Sequence, residues 1–425
     1  MIVSSTNGSF RKGKRQGRIL MSTTVYPRHT GDATPPFVRN LAIGMVELGW
    51  DVMVLAPHGT GALRHELDAG VEVRRFRYAY PTALQRLCYE GGMLINLRKR
   101  QWTTLLLPSF LLAQWIALRR LIREWDPDLL HSHSLLPQGF TGCWAGMGHK
   151  IPHVTTSHGN DVFGLPAKGL AGRAKRYVLR HASNITVNSS ATEAAVFELG
   201  CPIEKITRIP AVPNQFQSDP QWVDRIRRDA IGEHSPVLAF VGRMIEEKGV
   251  SDLLSAILIL RAEFPQIRCL LLGEGQDRET FEKRAHSMGI ADALHWAGWV
   301  NPNLVTSWIS VADVMVVPSR MSASGWREAQ GLVVAEAMLA GVPVVATNAG
   351  GIPDMLDSGA TGVLVTPENP IQLAEGIRVL LKNPPQRRQI AQTARERANR
   401  FFSRDAVFSA HEALYRKLIR KEQTQ

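Results

Sequence analysis

Short apolar runs alternate with longer amphipathic segments along most of the chain. Near the start, the runs Arg18–Val25 and Asp51–Ala56 predict two β-strands, and the segment Phe37–Leu48 between them predicts a helix that Gly49 ends. A strand, a loop, a helix and a second strand form the opening of a doubly wound parallel sheet. Further strands are predicted in the first half over 128–132, 153–156, 184–188 and 206–210.

The same alternation begins again in the second half of the chain. A helix is predicted over Ser251–Phe264, after the first apolar run of this half. Strands are predicted over 236–241, 268–272, 293–296, 314–317 and 343–346. The fold class is therefore predicted to be α/β, with two Rossmann-like, doubly wound domains in tandem.

The domain boundaries follow from changes in composition. Residues 18–212 and 236–400 are predicted to form the two domains, and the polar, proline-containing segment 213–235 is typical of a linker. Residues 1–17 are predicted to be a basic flexible tail. Residues 401–425 are predicted to form a C-terminal helix that packs back toward the first domain.

Composition narrows the class of protein. With 425 residues, of which 44% are hydrophobic, the chain can bury the cores of two domains. The four cysteines (Cys88, Cys143, Cys201 and Cys269) are far apart and include no Cys-x-x-Cys pair. That spacing argues against structural zinc and a disulfide framework, and it suits a reducing cytoplasm. The basic N-terminus lacks the apolar core of a secretory signal, so a cytoplasmic location is expected.

The net charge of +12 comes from the first half of the chain. Residues 1–212 contain 26 Lys and Arg against 14 Asp and Glu, whereas residues 213–425 contain 24 and 24. No zinc finger, helix-turn-helix or aromatic RNA-binding strand accompanies this basic excess, so no nucleic-acid partner is expected. The charge favours an anionic membrane surface or a phosphate-bearing acceptor.

Residues Gln101–Leu118 contain no charged side chain and lie between basic segments. The length is at the lower limit for a membrane span, and Pro108, Ser109 and Gln114 weaken that interpretation. A buried helix of the first domain is the first interpretation, an interfacial helix the second and a transmembrane helix the third. The basic flanks make peripheral contact with anionic lipid an expectation to test.

Two glutamates eight positions apart, Glu328 and Glu336, flank Gly331 in the most informative stretch of the chain. The apolar run Leu332–Leu339 predicts a helix that starts on Gly331. Its first backbone N–H groups and its positive dipole end would form a seat for an anion. Among the apolar neighbours of Glu336, an ionised carboxylate needs a partner, such as the hydroxyls of a ribose. The alternative is a solvated loop residue at 328 and an exposed helix residue at 336.

Arg243 and Lys248 flank the loop after the strand predicted over 236–241. Two cations at the carboxyl end of a strand could neutralise a diphosphate without a metal. The alternative is a pair of surface charges, with Lys248 countered by Glu246 or Glu247.

Two further candidates belong to the first half. His158 follows the strand 153–156, at the edge of the sheet where ligands of doubly wound folds bind, and a ligand contact is favoured over a purely structural role. Gly31 lies in the loop after the first strand, where a backbone could approach a ligand closely; a plain turn glycine is an equal alternative. Asp126-Pro127-Asp128 resembles a metal-binding motif but precedes a strand, so no metal site is predicted there.

Other enzyme motifs are missing from the sequence. No Gly-x-Gly-x-x-Gly follows a first strand, so a nicotinamide or flavin cofactor is not supported. No P-loop, Gly-x-Ser-x-Gly or His-Glu-x-x-His motif occurs.

Taken together, the motifs FVGRMIEEKG, LLGEG, HWAGWV, VVPSR, Glu-x7-Glu and PVVATNAGGIPD resemble those of the retaining glycosyltransferases of family 4. TGD, HSHSLLPQG and TSHGNDV in the first half are also similar to that family, so the resemblance covers nearly the whole chain. It implies the GT-B fold, in which two Rossmann-like domains face a cleft. It also implies a nucleotide-sugar donor and neither a cofactor nor a metal.

The resemblance implies a role for each matching residue. Arg243 and Lys248 would hold the donor diphosphate, Glu336 the ribose hydroxyls, and Glu328 the donor sugar near the reacting carbon. Three further residues complete the implied catalytic and donor-binding set: His158 would contact the sugar, Gly31 would cover the phosphates, and Val300 would lie near the base. The backbone of Gly331, Leu332 and Val333 would contact the phosphates and the sugar.

The function implied is retaining transfer of a hexose to a glycan or lipid-linked acceptor in cell-envelope or extracellular polysaccharide synthesis, at the cytoplasmic face of the inner membrane. A nucleotide-sugar epimerase and an inactive nucleotide-sugar-binding module are the alternatives. Two segments depart from the family pattern: Ala329-Gln330, where a change in donor choice is expected, and Ala211–Asn214, which makes the linker geometry less predictable.

Overall fold

The computed structural model describes residues 16–424 except 30, 33, 90, 215–216, 233–234 and 323–324. Most of the predicted basic tail, residues 1–15, lies outside the described residues. Two parallel sheets, each covered by helices on both faces, form the core of the molecule. The predicted α/β class with two doubly wound domains is thereby confirmed.

The first sheet has the strand order β3-β4-β2-β1-β5-β6-β7-β8 and is parallel except for β3. Its strands are β1 (Arg18–Ser22), β2 (Asp51–Pro57), β3 (His65–Asp68), β4 (Val71–Phe76), β5 (Leu129–His133), β6 (His153–Ser157), β7 (Asn184–Val187) and β8 (Ile206–Arg208). Its helices are α1 (Phe37–Glu47), α2 (Met93–Lys99), α3 (Leu107–Trp125), α4 (Phe140–Gly146), α5 (Asn160–Phe163), α6 (Gly169–His181) and α7 (Ser190–Glu198).

The second sheet is parallel throughout, in the order β11-β10-β9-β12-β13-β14. Its strands are β9 (Val237–Val241), β10 (Arg268–Leu272), β11 (Leu294–Gly298), β12 (Val314–Val317), β13 (Val344–Thr347) and β14 (Val363–Val365). The helices of this half are α8 (Pro220–Ile226), α9 (Val250–Arg261), α10 (Arg278–Ser287), α11 (Val305–Ser310), α12 (Leu332–Ala340), α13 (Ile352–Met355), α14 (Pro370–Lys382), α15 (Pro384–Phe401) and α16 (Arg404–Gln423).

The segment predicted as a linker, 213–235, is largely helical. Pro220 occupies the first turn of α8, and the Asp219 side chain accepts a hydrogen bond from the backbone N–H of Gln221 at its start. A further helical turn follows α8, and the apolar side chains of Ile226 and Ile231 are buried against β10. This segment therefore belongs to the second domain, and the crossing between domains is confined to the residues before α8.

The last helix, α16, lies on the first domain, although it follows the second domain in the chain. Its Phe408 and Tyr415 are buried with Ile19 and Trp50 in one core. Phe408 packs so close to Gly44 of α1 that a Cβ at Gly44 would overlap its ring. Burial of these aromatic side chains fixes α16 against α1 and the core of the first sheet.

Candidate functional site

The candidate residues follow strands in both sheets, where parallel sheets bind ligands. His158 follows β6, Arg243 and Lys248 follow β9, and the loop after β12 carries Glu328 and leads into α12. Close contacts between Gly159 and Ala329 show that the two strand edges meet: a Cβ at Gly159 would overlap that of Ala329. The fold thus brings the two halves of the predicted site to one cleft.

Lys248 and Glu328 form an ion pair across 80 positions of sequence. Their side chains are 20% and 14% exposed, so the pair is screened from water far more than a surface pair. The Nζ of Lys248 also lies 5.4 Å from the centre of the Trp326 ring, in cation–π range. Lys248 is therefore countered by Glu328 and not by Glu246 or Glu247, the alternative partners considered from sequence.

Glycines allow the backbone around this pair to pack closely. Gly249 has φ of +73°, and a Cβ there would overlap the carbonyl oxygen of Pro318 at the end of β12. Gly350 has φ of +58°, and a Cβ there would overlap the carbonyl oxygen of Glu328. The first approach holds the loop after β9 against the end of β12, and the second holds the loop after β13 against the loop that carries Glu328. Together they place Glu328 beside Lys248.

The charge state of Glu328 is set by its neighbours. Burial alone would raise the pKa of Glu328, but Lys248, Arg243 and the backbone N–H of Gly331 outweigh it and hold that pKa below its ordinary value. Arg243 is exposed, and its side chain makes no hydrogen bond or ion pair within the described ranges. An ionised carboxylate, a paired ammonium and a guanidinium free to bind thus lie together, and the guanidinium suits phosphate oxygens.

Helix α12 begins at Gly331, as the sequence predicts. Gly331 has φ of +81° and no side chain caps the first turn, so its leading N–H groups have no side-chain partner. Leu332 and Val333 are partly exposed, whereas Val334 faces the core. The positive end of the helix dipole therefore opens beside the cations of the cleft.

Glu336 lies one turn into α12 and is partly buried. Its Oε1 accepts a hydrogen bond of 3.1 Å from the backbone N–H of Asn214. Burial raises the pKa of Glu336 to about 7, and the contact with Asn214 lowers it only in part. The carboxylate therefore has the partner that its apolar surroundings demand, supplied by a segment that sequence analysis marked only as irregular.

Gln330 of the second domain binds the crossing segment, residues 209–214, which leads from the first domain to the second. The side chain is 2% exposed, and its Oε1 accepts a 2.8 Å hydrogen bond from the backbone N–H of Ala211. The expected effect of Ala329-Gln330 on donor choice stays a prediction; in the structure Ala329 packs on Gly159, and Gln330 binds the backbone of Ala211. Both departures from the family pattern, 211–214 and 329–330, therefore meet at the domain junction.

The domains also touch through Asp354 of α13. Its carboxylate accepts hydrogen bonds from the backbone N–H and the hydroxyl of Ser190 at the start of α7, the latter at 2.7 Å. Arg208 lies 3.7 Å from the same carboxylate and also pairs with Glu193. These contacts join α13 of the second domain to α7 and β8 of the first.

His158 contacts two aromatic rings. Its Nε2 lies 3.2 Å from Nδ1 of His133 at the end of β5, and the Phe37 ring packs on it with centroids 4.7 Å apart. Burial lowers the pKa of His158 to about 4, so the ring is neutral at pH 7. His133 was missed from sequence as a site residue; its position at a strand end was the available signal.

The remaining predicted residues lie at the rim. Gly31 is exposed, with φ of +81° and open space where a Cβ would stand. Val300 is partly buried and packs against the apolar cluster that includes Trp308. Asp161, in contrast, is buried and structural, since it accepts hydrogen bonds from the Leu135 N–H and the Ser157 hydroxyl.

Within the part of the chain that the structure describes, no three His, Cys, Asp or Glu side chains are arranged to hold a metal ion.

Two family models match the chain. A "Glycosyl transferase 4-like domain" matches residues 34–211, and "Glycosyl transferases group 1" matches residues 224–397. The first match covers every strand of the first sheet except β1, and the second match covers the second sheet.

Similar proteins include enzymes with different donors and acceptors in their names. Glycogen synthase of Mycobacterium tuberculosis is 26% identical over 413 residues, with 94% of each chain covered. A GDP-mannose-dependent alpha-(1-6)-phosphatidylinositol monomannoside mannosyltransferase of the same species is 27% identical over 270 residues, which cover 63% of this chain and 70% of that protein.

Solved structures share the fold. Sucrose-phosphate synthase from Thermosynechococcus elongatus superposes with a TM-score of 0.77 at 21% identity, covering 96% of this chain and 100% of that one. HepE from Anabaena, in complex with UDP, superposes with a TM-score of 0.70 at 18% identity, covering 94% and 100%. At these identities the likeness is one of fold.

Proposed function

Because the chain belongs to the group 1, family 4 glycosyltransferases with the GT-B fold, we propose that it moves a hexose from a nucleotide-diphosphate sugar to a glycan or lipid-linked acceptor, with retention of anomeric configuration and without a metal. Transfer of sugar from a nucleotide sugar follows from the family. The finer proposal rests on one observation: Arg243, the Lys248–Glu328 pair and the N-terminus of α12 meet in one cleft.

The leaving group determines what these residues do. When the anomeric C–O bond breaks, negative charge develops on the departing diphosphate and positive charge on the sugar. Arg243, Lys248 and the first N–H groups of α12 would stabilise the former, in a place shielded from bulk water. This cluster supplies positive charge that a metal ion would otherwise supply.

Glu328 would stabilise the positive charge on the sugar. Its pKa is held below the ordinary value by Lys248 and Arg243 against the effect of burial, so it is ionised at neutral pH. Its Oε2 is engaged by Lys248, which favours an electrostatic role over attack on the anomeric carbon. The acceptor hydroxyl would then approach from the side of the leaving diphosphate and pass its proton to a phosphate oxygen, which gives retention without a covalent intermediate.

The nucleotide end of the donor would lie along α12. Glu336 would accept hydrogen bonds from the ribose hydroxyls, and Gly31 and His158 would close over the phosphates and sugar from the first domain. In the structure one oxygen of Glu336 is held by the Asn214 N–H. Donor binding would therefore meet the crossing segment 209–214 as well as the two domains.

The product tests the proposed function directly. Purified protein is incubated with α-configured UDP- and GDP-hexoses and a lipid-linked or glycan acceptor, with EDTA or with added magnesium. The expected product has an α-linkage, identified by its one-bond C1–H1 coupling, at equal rates in both conditions. A β-linked product would overturn retention, and loss of activity in EDTA would overturn metal independence.

Donor affinity is expected to depend on pH through Glu336. Its carboxyl has a pKa of about 7 without donor, and the ionised form accepts hydrogen bonds from the ribose, so binding releases the proton. Donor affinity should therefore rise with pH up to about 7 and then level off. Calorimetric titration with donor from pH 5.5 to 8.5 checks this. Glu336→Gln is expected to bind the donor about tenfold more weakly, because it loses one good hydrogen bond to an ionised group. Its donor affinity should not change with pH. An equally sloped profile in the variant would contradict the assignment.

A surface of α3 supports the proposed contact with an anionic membrane. The stretch Gln101–Trp125 is long and apolar enough to cross a membrane by length and composition, but one face of the helix packs on the first domain through Phe110, Leu118 and Ile122. The first interpretation from sequence, a buried helix, is therefore only half right. Leu112 (51%) and Ile116 (52%) are exposed on the opposite face of α3, and Trp102 (44%) and Leu105 (80%) are exposed in the helical turns just before it.

Basic side chains around this face support an anionic membrane as its proposed partner. Arg98, Lys99 and Arg100 precede the exposed apolar side chains, and Arg120 and Arg123 follow them. An apolar strip flanked by cations suits a helix that lies in the headgroup layer of an anionic bilayer. Docking there would present the cleft to a lipid-linked acceptor at the cytoplasmic face of the inner membrane.

Vesicle binding tests this surface. The double variant Leu105→Glu/Ile116→Glu is expected to lose at least about tenfold in affinity for phosphatidylglycerol vesicles, since each glutamate removes apolar burial and is repelled by the lipid. Leu170→Glu is the matched control, because Leu170 is 83% exposed on α6 in the same domain. Equal binding by the wild type to neutral and anionic vesicles, or an equal loss in the control, would contradict the assignment.

A further inference from the structure

His133 is buried at the cleft but has no place in the proposed donor contacts. The side chain is 3% exposed and lines a cavity with His158, Asn188, His411 and the crossing residues 209–212. Its Nδ1 lies 3.2 Å from Nε2 of His158, and the two rings are nearly parallel, at 11°. Its Nε2 is buried and, within the described residues, has no hydrogen-bond partner.

The pair has two possible proton arrangements. Burial lowers the pKa of both rings, so both are neutral at pH 7, and their hydrogen bond requires one protonated and one unprotonated nitrogen. If His158 donated from Nε2, the proton of His133 would sit on its buried Nε2, as a donor without an acceptor. If His133 donates from Nδ1, its unprotonated Nε2 carries a lone pair that accepts no hydrogen bond. Unpaired buried N–H groups are the rarer of the two in proteins, which favours the second arrangement.

We propose that His133 is a positioning residue that fixes the tautomer of His158, with the proton of His158 on Nδ1. Nε2 of His158 accepts from His133, and Nδ1–H is left to donate to an oxygen of the bound sugar. The Phe37 ring, which packs on His158 with centroids 4.7 Å apart, restricts the rotation of His158. This inference rests on the proposed function for its sugar contact, but the tautomer itself is a property of the free protein.

Each nitrogen of His158 can be observed by NMR. In protein labelled with 15N-histidine and free of donor, the His158 signals, assigned through His158→Gln, are expected to show a protonated Nδ1 and an unprotonated Nε2. His133→Phe retains an aromatic ring in that place but removes the donor, so His158 is expected to become a mixture of tautomers. The kcat/KM for donor should then fall about tenfold, the cost of one hydrogen bond.

His133→Asn is the matched variant, because its amide N–H stands near the place of the histidine Nδ1–H. It is expected to restore both the His158 tautomer and most of kcat/KM; thermal unfolding verifies that both variants fold. A wild-type His158 protonated on Nε2, an unchanged His158 tautomer in His133→Phe, or unchanged kcat/KM in that variant would overturn the inference. Absence of sugar transfer by the wild type would instead overturn the proposed function, while the NMR result still decides the tautomer.

Discussion

Lys248→Ala is expected to lower kcat/KM for sugar transfer about 10²- to 10³-fold, the usual effect of removing one preorganised group that stabilises charge in a transition state. The variant lacks the ammonium group that is proposed to stabilise the departing diphosphate. Its removal also leaves Glu328 without its closest cation, so the pKa of Glu328 should rise toward the value that burial alone would set. Steady-state kinetics with the preferred donor measure the effect.

Two controls separate charge stabilisation from a general loss of structure. The double variant Lys248→Ala/Glu328→Gln removes both charges, so no buried carboxylate is left unpaired, and it should unfold close to the wild-type temperature while remaining inactive. Lys283→Ala breaks an exposed ion pair with Glu279 on α10 and should leave both activity and stability unchanged. Activity near the wild-type level in Lys248→Ala would remove Lys248 from the site.

Acidification is expected to destabilise the fold steeply below about pH 6.5. Burial lowers the pKa of His153 to about 3, that of His411 to about 4, and those of His131 and His133 well below the ordinary value. The unfolded chain takes up these protons as pH falls through about 6.5, whereas the folded protein does not, so the free energy of unfolding falls. Each such histidine contributes about 1.4 kcal/mol per pH unit, and together they contribute on the order of 5 kcal/mol per unit.

That slope is large against the whole stability of a domain, about 5–15 kcal/mol. Glu336, whose pKa is raised, acts in the opposite direction between about pH 4.5 and 7, but as a single group. Guanidinium unfolding at pH 7.5 and 5.5 measures the difference. His411→Gln should make the pH dependence shallower, by about one proton, whereas His286→Gln, at an exposed position on α10, should leave it unchanged. Equal free energies of unfolding at the two pH values would contradict this account.

The central strands could be predicted closely from sequence. The predictions for β10 and β12 coincide with the structure, because buried parallel strands are uninterrupted apolar runs with turn residues after them. The edge hairpin β3–β4 was missed. Charged residues such as Glu72 and Arg74 alternate with valines in β4, so β4 lacks the continuous apolar run by which the other strands were predicted. Its partner β3 is a short antiparallel strand next to it in sequence.

The site was predictable where strand ends determine it. Lys248 was singled out because it follows a strand, and Glu328 because it lies eight positions before Glu336 and close to the predicted helix start at Gly331. They meet because β9 and β12, the strands that precede them, are neighbours in one sheet. The Asn214–Glu336, Ala211–Gln330 and His133–His158 contacts were not predicted. The contacts of Asn214 and Ala211 depend on how the crossing segment lies between the two domains. The contact of His133 with His158 depends on how neighbouring loops pack. No local sequence pattern encodes either arrangement.

Calorimetric titration of the wild type, Lys248→Ala and Glu336→Ala with UDP- and GDP-sugars tests the central claim, that this cleft binds a nucleotide-diphosphate sugar. The wild type should bind at least one of them, and each variant should bind it at least about tenfold more weakly, for the loss of a charged hydrogen-bonding group, while unfolding at a similar temperature. Unchanged affinity in both variants would contradict the claim.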